Sequence, residues 1–150
     1  MADPFLTGPI PLPMDSFRFQ RRVLQTAVAA AAVVPALAGL WGVMTGLGVA
    51  GAVLDSQHRF LSGLQLAIGL GLWWCVPNLL RRAGPFRLLC LLIVAGGLGR
   101  LGAALADGFT PLIGAAVVFE LVVTPVLFFW RERVERMDPD APSRYGGPWG

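Results

Sequence analysis

The chain has 150 residues, of which 55% are hydrophobic and only 14% charged, and its formal net charge is +3. A soluble domain carries charge on about 25% of its residues, so this composition excludes an ordinary soluble domain and indicates a membrane protein. All twelve basic residues are arginines in clusters without interleaved base-stacking aromatic residues, which excludes nucleic acid as a partner.

The N-terminal residues 1–22 predict a proline-rich segment that lies on a surface. Four prolines within the first 16 residues prevent a regular helix there, and FRFQRR at 17–22 suits the headgroup layer of a membrane. The following apolar run, with an Ala-Leu-Ala triplet at 36–38, is similar to a signal peptide. It continues far beyond the usual length of such a peptide, so we expect an uncleaved helix.

Four hydrophobic stretches follow, each long enough to cross a hydrocarbon core of roughly 30 Å as a helix. Helices are required because lipid offers no partner to an open backbone. The sequence therefore predicts an all-α fold, a four-transmembrane-helix bundle running up-down-up-down within a membrane domain of residues 23–131. The predicted spans cover residues 23–49, 60–80, 86–106 and 111–130.

The arginines predict the orientation of this bundle. Nine of them flank the spans on one side, whereas the other side has only Arg59 and His58, with Asp55 and Asp107. Arginine and lysine concentrate on the cytoplasmic side of membrane proteins. We therefore expect both termini in the cytoplasm.

Two ionisable residues lie inside the predicted spans, Arg100 in the third and Glu120 in the fourth. Side chains lean toward the N-terminus of their own helix, which sends these two toward each other from antiparallel helices. A charge in lipid is costly unless it is paired, so the sequence predicts a buried ion pair. Gln65 lies at a similar depth and is expected as the third member, and Thr45 could complete the cluster.

Two interpretations of this cluster remain open. As a structural clamp, a polar layer fixes the register of the helices. As a binding or transport site, it lines a route for a solute or holds a ligand headgroup. One acid paired with one base leaves little capacity to carry protons, which favours the clamp.

Further polar and small residues predict contacts between helices. His58 and Arg59 are expected to meet Asp107 at the interface opposite the arginine-rich side. Small residues let helix backbones approach closely in membranes, and we expect this within one chain, with contact between chains as the alternative. The residues predicted for such packing are Gly42 and Gly46 in the first span and Ala95, Gly99 and Ala103 in the third.

The sequence has no recognisable catalytic motif. The only histidine, His58, and the two cysteines, Cys75 and Cys90, form no nucleophile-base arrangement, metal-ligand spacing or haem motif. We therefore expect no enzymatic activity, no catalytic residue, no metal and no cofactor.

The C-terminal residues 132–150 predict a polar tail that is rich in proline and glycine. Such a composition does not form a packed core by itself and becomes ordered against a partner. We expect the protein to contact the lipid bilayer and other membrane-protein subunits, through its helix faces and its two terminal segments.

Three short motifs carry a family resemblance. They are RFLSGL, GGLGR and ExxxxPxxxxW, with matching positions Arg59, Gly63, Gly96, Gly97, Gly99, Arg100, Glu120, Pro125 and Trp130. With these motifs, residues 23–131 resemble a family of small bacterial four-helix integral membrane proteins known only as a domain of unknown function. The resemblance implies four spans in the bacterial cytoplasmic (inner) membrane and carries no assigned activity.

The leading functional hypothesis is a non-enzymatic accessory or stabilising subunit of a larger membrane complex, of the respiratory or photosynthetic type. The terminal segments and small-residue faces, which need something to bind, favour it. The alternative is a small oligomeric transporter or a binding protein for a lipophilic ligand with a quinone-like or anionic headgroup. That protein would use the intramembrane cluster of Arg100, Glu120 and Gln65.

Overall fold

The computed structural model describes residues 14–48 and 51–138, which are helical apart from short connections. Four helices in this part are long and apolar enough to cross a membrane. The prediction of an all-α fold with four membrane-length helices is therefore confirmed, and the protein is a multi-pass integral membrane protein. The four candidate spans are Ser16–Thr45, Ala52–Asn78, Ala83–Asp107 and Pro111–Arg136.

The fourth span is the only one of these that a change of helix type divides near its middle. It consists of two α-helices joined by a short π-helical turn, named here the π turn. The elements are α1 (Met14–Thr45), α2 (Ala52–Cys75) with a 3-10 turn at Val76–Asn78, α3 (Ala83–Asp107), α4 (Pro111–Val118), the π turn (Phe119–Val123) and α5 (Thr124–Arg136).

The connection between α1 and α2 is shorter than the sequence predicts. Helix α1 ends at Thr45 rather than at residue 49, because Gly46 adopts a left-handed φ of 59°. Helix α2 begins at Ala52 rather than at residue 60. Its polar first turns remain helical because Asp55 lies near the positive end of the helix dipole and pairs with Arg59 one turn later.

Both terminal segments are shorter than predicted where the structure describes them. Helix α1 already begins at Met14, directly after the last of the N-terminal prolines, and α5 continues to Arg136. Residues 14–22 and 132–136 therefore belong to the helices. Residues 1–13 of the predicted surface segment and 139–150 of the predicted tail lie outside the described residues.

The helices form a ring in which each packs against its neighbours in sequence, and α5 packs against α1. Two side chains show which ends meet: Gln25 Nε2 donates to the carbonyl oxygen of Val76 at 2.8 Å, and Arg131 Nη2 donates to that of Leu80 at 3.0 Å. The start of α1, the α2–α3 connection and the end of α5 therefore share one end of the bundle. We call it the basic end because nine arginines lie there.

The apolar core occupies the half of the bundle nearer the basic end. Many large apolar side chains outside this core are exposed, for example Leu112 at 81% and Val53 at 78%. Such exposure is expected of side chains that face lipid. The core consists of Leu24, Val28, Ala32, Leu72, Cys75, Leu79, Leu80, Phe86, Cys90, Ile93 and Val134.

Candidate functional site

Arg100 of α3 and Glu120 of the π turn form an ion pair with two hydrogen bonds. Arg100 Nε donates to Glu120 Oε2 at 3.1 Å, and Nη2 donates to Oε1 at 3.2 Å. This parallel arrangement matches the fork of the guanidinium to the two oxygens of the carboxylate. The Glu120 side chain is only 12% exposed, whereas that of Arg100 is 41% exposed. The acid is thus enclosed by the protein, and the base remains accessible from outside.

The π turn contains Glu120 and ends at Val123, two residues before Pro125. The backbone N–H and the side-chain hydroxyl of Thr124 both donate to the carbonyl oxygen of Phe119, five residues earlier. Pro125 has no N–H and cannot continue the regular hydrogen-bond ladder. Such π turns inside α-helices are frequent at functional sites. The acid five residues before a proline is the sequence signal for this local geometry.

Gln65 and Thr45 do not join this pair. Within residues 14–48 and 51–138, no hydrogen bond links Gln65 to Arg100, and Thr45 Oγ1 donates to the carbonyl oxygen of Trp41 in its own helix. Glycine contacts hold this part of α2 against α1 rather than α3, and the hydroxyl is already satisfied. The expected cluster of four is therefore corrected to a pair of two.

Helices α1 and α2 approach closely through glycines. Gly42 packs against Ser62, and Gly46 ends α1 beside Asp55 and Arg59. Two further contacts, not predicted from the sequence, are made against backbone: Gly39 touches the backbone of Leu66, and a Cβ built at Gly69 would lie 2.6 Å from the backbone nitrogen of Ala36. The signal for Gly39 was its position one turn before Gly42.

Arg59 does not meet Asp107, contrary to the sequence-based expectation. Its Nε donates to Asp55 Oδ2 at 2.8 Å, and its Nη1 donates to the carbonyl oxygen of Val43 at 2.6 Å. Asp55 lies one helical turn away, so the pair needs no contact between distant helices. Asp107 is exposed at the end of α3, and His58 lies beside Gly42 of α1.

The small-residue stripe of α3 faces outward. Ala95, Gly99 and Ala103 are all exposed, and a Cβ built at Gly99 would meet no atom within 4 Å in the described structure. The internal contact of α3 is made instead by Gly97, on the buried side of the helix, against Glu120. The expectation that the stripe packs inside the bundle is therefore wrong, because its residues lie opposite the buried side.

Arg131 is a buried polar centre, whereas the sequence pattern predicts only one arginine of a membrane edge at this position. Its side chain is 0% exposed. The guanidinium donates to the carbonyl oxygens of Leu79 and Leu80 in the α2–α3 connection, at 3.3 and 3.0 Å. It also donates to Glu132 at 2.7 Å and to Glu135 at 2.9 and 3.1 Å.

Arg87 of α3 extends this network. Its Nε and Nη2 donate to the two oxygens of Glu132 at 3.0 and 2.9 Å. The network therefore ties α5 to both α3 and the α2–α3 connection. Its sequence signal was the pair of glutamates one and four residues after Arg131.

The Arg100–Glu120 pair has a limited chemical repertoire. The carboxylate is neutralised by its partner, whereas a guanidinium has five N–H donors, of which two are used here. The free donors belong to an accessible side chain. The pair can hold α3 to the fourth span, and the free N–H groups of Arg100 can donate to an oxygen atom of a neighbouring protein or ligand.

One of the comparisons with known proteins identifies a family for this chain. A family model described as "Domain of unknown function (DUF4345)" matches residues 23–131. The matched range includes both the Arg100–Glu120 pair and Arg131. The comparisons with curated proteins and with solved structures found no match.

Proposed function

The chain belongs to the DUF4345 family of domains of unknown function, and from that premise we propose that it is a non-enzymatic accessory subunit that docks onto a larger membrane complex. The suspected family resemblance over residues 23–131 is thereby confirmed. The family carries no activity that could be transferred to this chain, so the proposal rests on the geometry of the molecule.

The observation that carries the proposal is the outward face of α3. Ala95, Gly99, Gly102 and Ala103 are exposed on it, and the chain itself covers none of them in the described part. Between membrane helices, small residues allow close backbone approach and van der Waals contact, which drives helix association in lipid. A face of this kind supports docking of another transmembrane helix.

Arg100 supports the same proposal. Its side chain is accessible and lies on the flank of α3 between the outward face and Glu120. An ionisable side chain is costly at membrane depth unless its donors are satisfied. A helix from a partner subunit that packs on the small residues would cover this guanidinium and supply an oxygen acceptor.

The non-enzymatic part of the proposal rests on the arrangement around His58. One face of α2 carries an aspartate, a histidine and a serine, the three residue types of a hydrolytic triad, at Asp55, His58 and Ser62. In residues 51–138, however, no hydrogen bond joins His58 to either of the others. Asp55 accepts instead from Arg59 and from the backbone N–H of Leu47.

The proposed location is the bacterial cytoplasmic membrane with both termini inside. Nine arginines at the basic end support this orientation through the positive-inside rule. Cysteine substitutions at Arg133 and Leu112, labelled with a membrane-impermeant reagent in intact cells, test it. Labelling of the cysteine at position 133 in intact cells would contradict the orientation.

Purification under mild conditions tests the accessory role. The tagged chain is extracted from its native membrane in a mild detergent, and the co-purifying proteins are quantified by mass spectrometry. We expect a stoichiometric membrane partner that is lost in Gly99→Leu. The control, Gly114→Leu, makes the same change at another open glycine of a candidate span and keeps the partner. A chain that purifies alone, or a partner retained by Gly99→Leu, would contradict the proposal.

A ligand-binding or transport protein remains the second candidate function, favoured by the accessible guanidinium next to a π turn. It predicts a lone oligomer that retains a small anionic or quinone-like molecule, lost in Arg100→Gln. The same purification distinguishes the two functions, because it identifies either a protein partner or a retained small molecule.

A further inference from the structure

A cleft of about 650 Å³ opens at the basic end, between the start of α1 and the end of α5. It is separate from the α3 face and from Arg100. Gln20 lies on its α1 side, and Phe129, Glu132, Arg133 and Arg136 line its α5 side. The cleft therefore combines an aromatic ring with charged side chains at one edge of the bundle.

The charge of the cleft is positive. Glu132 is already bound by Arg131 at 2.7 Å and by Arg87 at 2.9 Å, so its carboxylate is neutralised. Arg133 and Arg136 have no hydrogen-bond or ion-pair partner among the described residues. They are three residues apart on one helix and so lie close together on its surface. The C-terminus of α5 contributes only roughly −0.5 elementary charge, which two guanidinium groups outweigh.

The order of residues along α5 distinguishes between possible anions. Phe129, 68% exposed, lies one turn before Arg133 and thus nearer the middle of the membrane span. The polarity of the cleft changes from apolar to basic toward the end of the bundle. A phospholipid has the same order, acyl chains followed by a phosphate, whereas a free inorganic anion would make no use of the aromatic wall.

We propose that this cleft binds an anionic phospholipid, with its phosphate between Arg133 and Arg136 and an acyl chain along Phe129. Basic pockets between membrane helices recognise anionic headgroups through charge and hydrogen bonds. Two guanidinium groups offer up to ten N–H donors to the phosphate oxygens. The site therefore prefers headgroups with a net negative charge over zwitterionic headgroups, whose own ammonium group repels arginine.

Lipid retention by the full-length protein tests the proposal. The delipidated protein is mixed with phosphatidylglycerol, phosphatidylcholine of the same chain length, or inorganic phosphate. Bound lipid is measured by native mass spectrometry and the melting temperature by scanning fluorimetry. We expect phosphatidylglycerol to be retained roughly tenfold or more over phosphatidylcholine, and to raise the melting temperature. Inorganic phosphate at the same concentration should have little effect.

Matched charge variants localise the site. Arg133→Gln with Arg136→Gln removes the preference for phosphatidylglycerol. The control, Arg18→Gln with Arg81→Gln, removes the same charge from the same end outside the cleft and keeps it. All four arginines are exposed, so the variants retain the fold, which circular dichroism checks.

Three outcomes would overturn the proposal. The first is equal retention of phosphatidylglycerol and phosphatidylcholine. The second is an equal loss of this preference in the cleft and control variants. The third is a rise in melting temperature with inorganic phosphate as large as the rise with phosphatidylglycerol. Phe129→Ala gives an independent test, because it should weaken retention of long-chain phosphatidylglycerol while leaving that of a short-chain analogue unchanged. An equal effect on both analogues contradicts the placement of the acyl chain. The lipid measurements do not depend on the partner subunit proposed to dock on α3, so the two proposals can fail independently.

Discussion

Gly97 leaves the space into which Glu120 packs: a Cβ built at residue 97 would lie 2.7 Å from the Cβ of Glu120. It would also lie 2.9 Å from Cδ2 of Leu121. Real Cβ atoms do not approach other atoms this closely, so any side chain at residue 97 must push α3 away from the π turn. The hydrogen bonds of Arg100, three residues later, depend on this close approach.

Gly97→Ala should therefore lower the melting temperature of the purified protein and weaken the ion pair. Alanine favours a helix over glycine by about 1 kcal/mol, so a net loss means that the steric conflict outweighs this gain. Gly96→Ala is the matched control, because a Cβ there meets no atom within 4 Å. It should leave the melting temperature unchanged or raise it. Equal behaviour of the two variants would show that α3 does not pack closely at Gly97.

Glu120→Gln should destabilise the protein by about 1.5–3 kcal/mol, the range for hydrogen bonds to charged groups. The variant leaves Arg100 without its counter-charge at the same depth. The measurement is a double-mutant cycle of unfolding free energies with Arg100→Gln. The double variant should lose clearly less than the sum of the single losses, and simple additivity would mean that the two side chains do not interact.

Arg131→Gln should cost more than any other single arginine substitution at the basic end, about 3–5 kcal/mol. The change leaves two carboxylates and the carbonyl oxygens of Leu79 and Leu80 without their shared donor. Chemical denaturation of the protein in detergent measures the loss. Arg133→Gln, two residues away and exposed, should change stability by less than about 0.5 kcal/mol. Similar effects of the two would refute the buried network.

Gly69→Ala should separate α1 from α2, because its Cβ would lie 2.6 Å from the backbone nitrogen of Ala36 and backbone cannot move aside cheaply. A cysteine pair placed across α1 and α2 reports the separation through a slower rate of cross-linking. Gly63→Ala on the same helix meets only a side-chain atom of Val43 at 3.9 Å. The cross-linking rate of Gly63→Ala should equal that of the unchanged protein. A slower rate in this control would show that the close contact between α1 and α2 is not specific to Gly69.

The sequence predicted the features that depend on a single helix or on the position of a residue along its span. The four spans follow from the lengths of the apolar runs, since lipid requires a helix for each. The meeting of Arg100 with Glu120 follows from their depths and from the lean of side chains in antiparallel helices. The first turns of α2 were missed because Asp55, His58 and Arg59 resemble a polar connection, although the pair of Asp55 with Arg59 supports a helix.

The approximate position of each residue along its span was predictable from the sequence by itself, because the apolar runs and the charges that flank them mark the two ends of each helix. Rotation of each helix about its axis was decided only by the tertiary structure. Helix α2 packs against α1 through Gly39 and Gly69. This packing separates Gln65 of α2 from Arg100 of α3. On α3, the residue that faces Glu120 is Gly97 rather than Gly99. In lipid, apolar faces are equally well solvated, so close packing and buried polar bonds such as those of Arg131 select the rotation, and which helices they join is decided only in three dimensions.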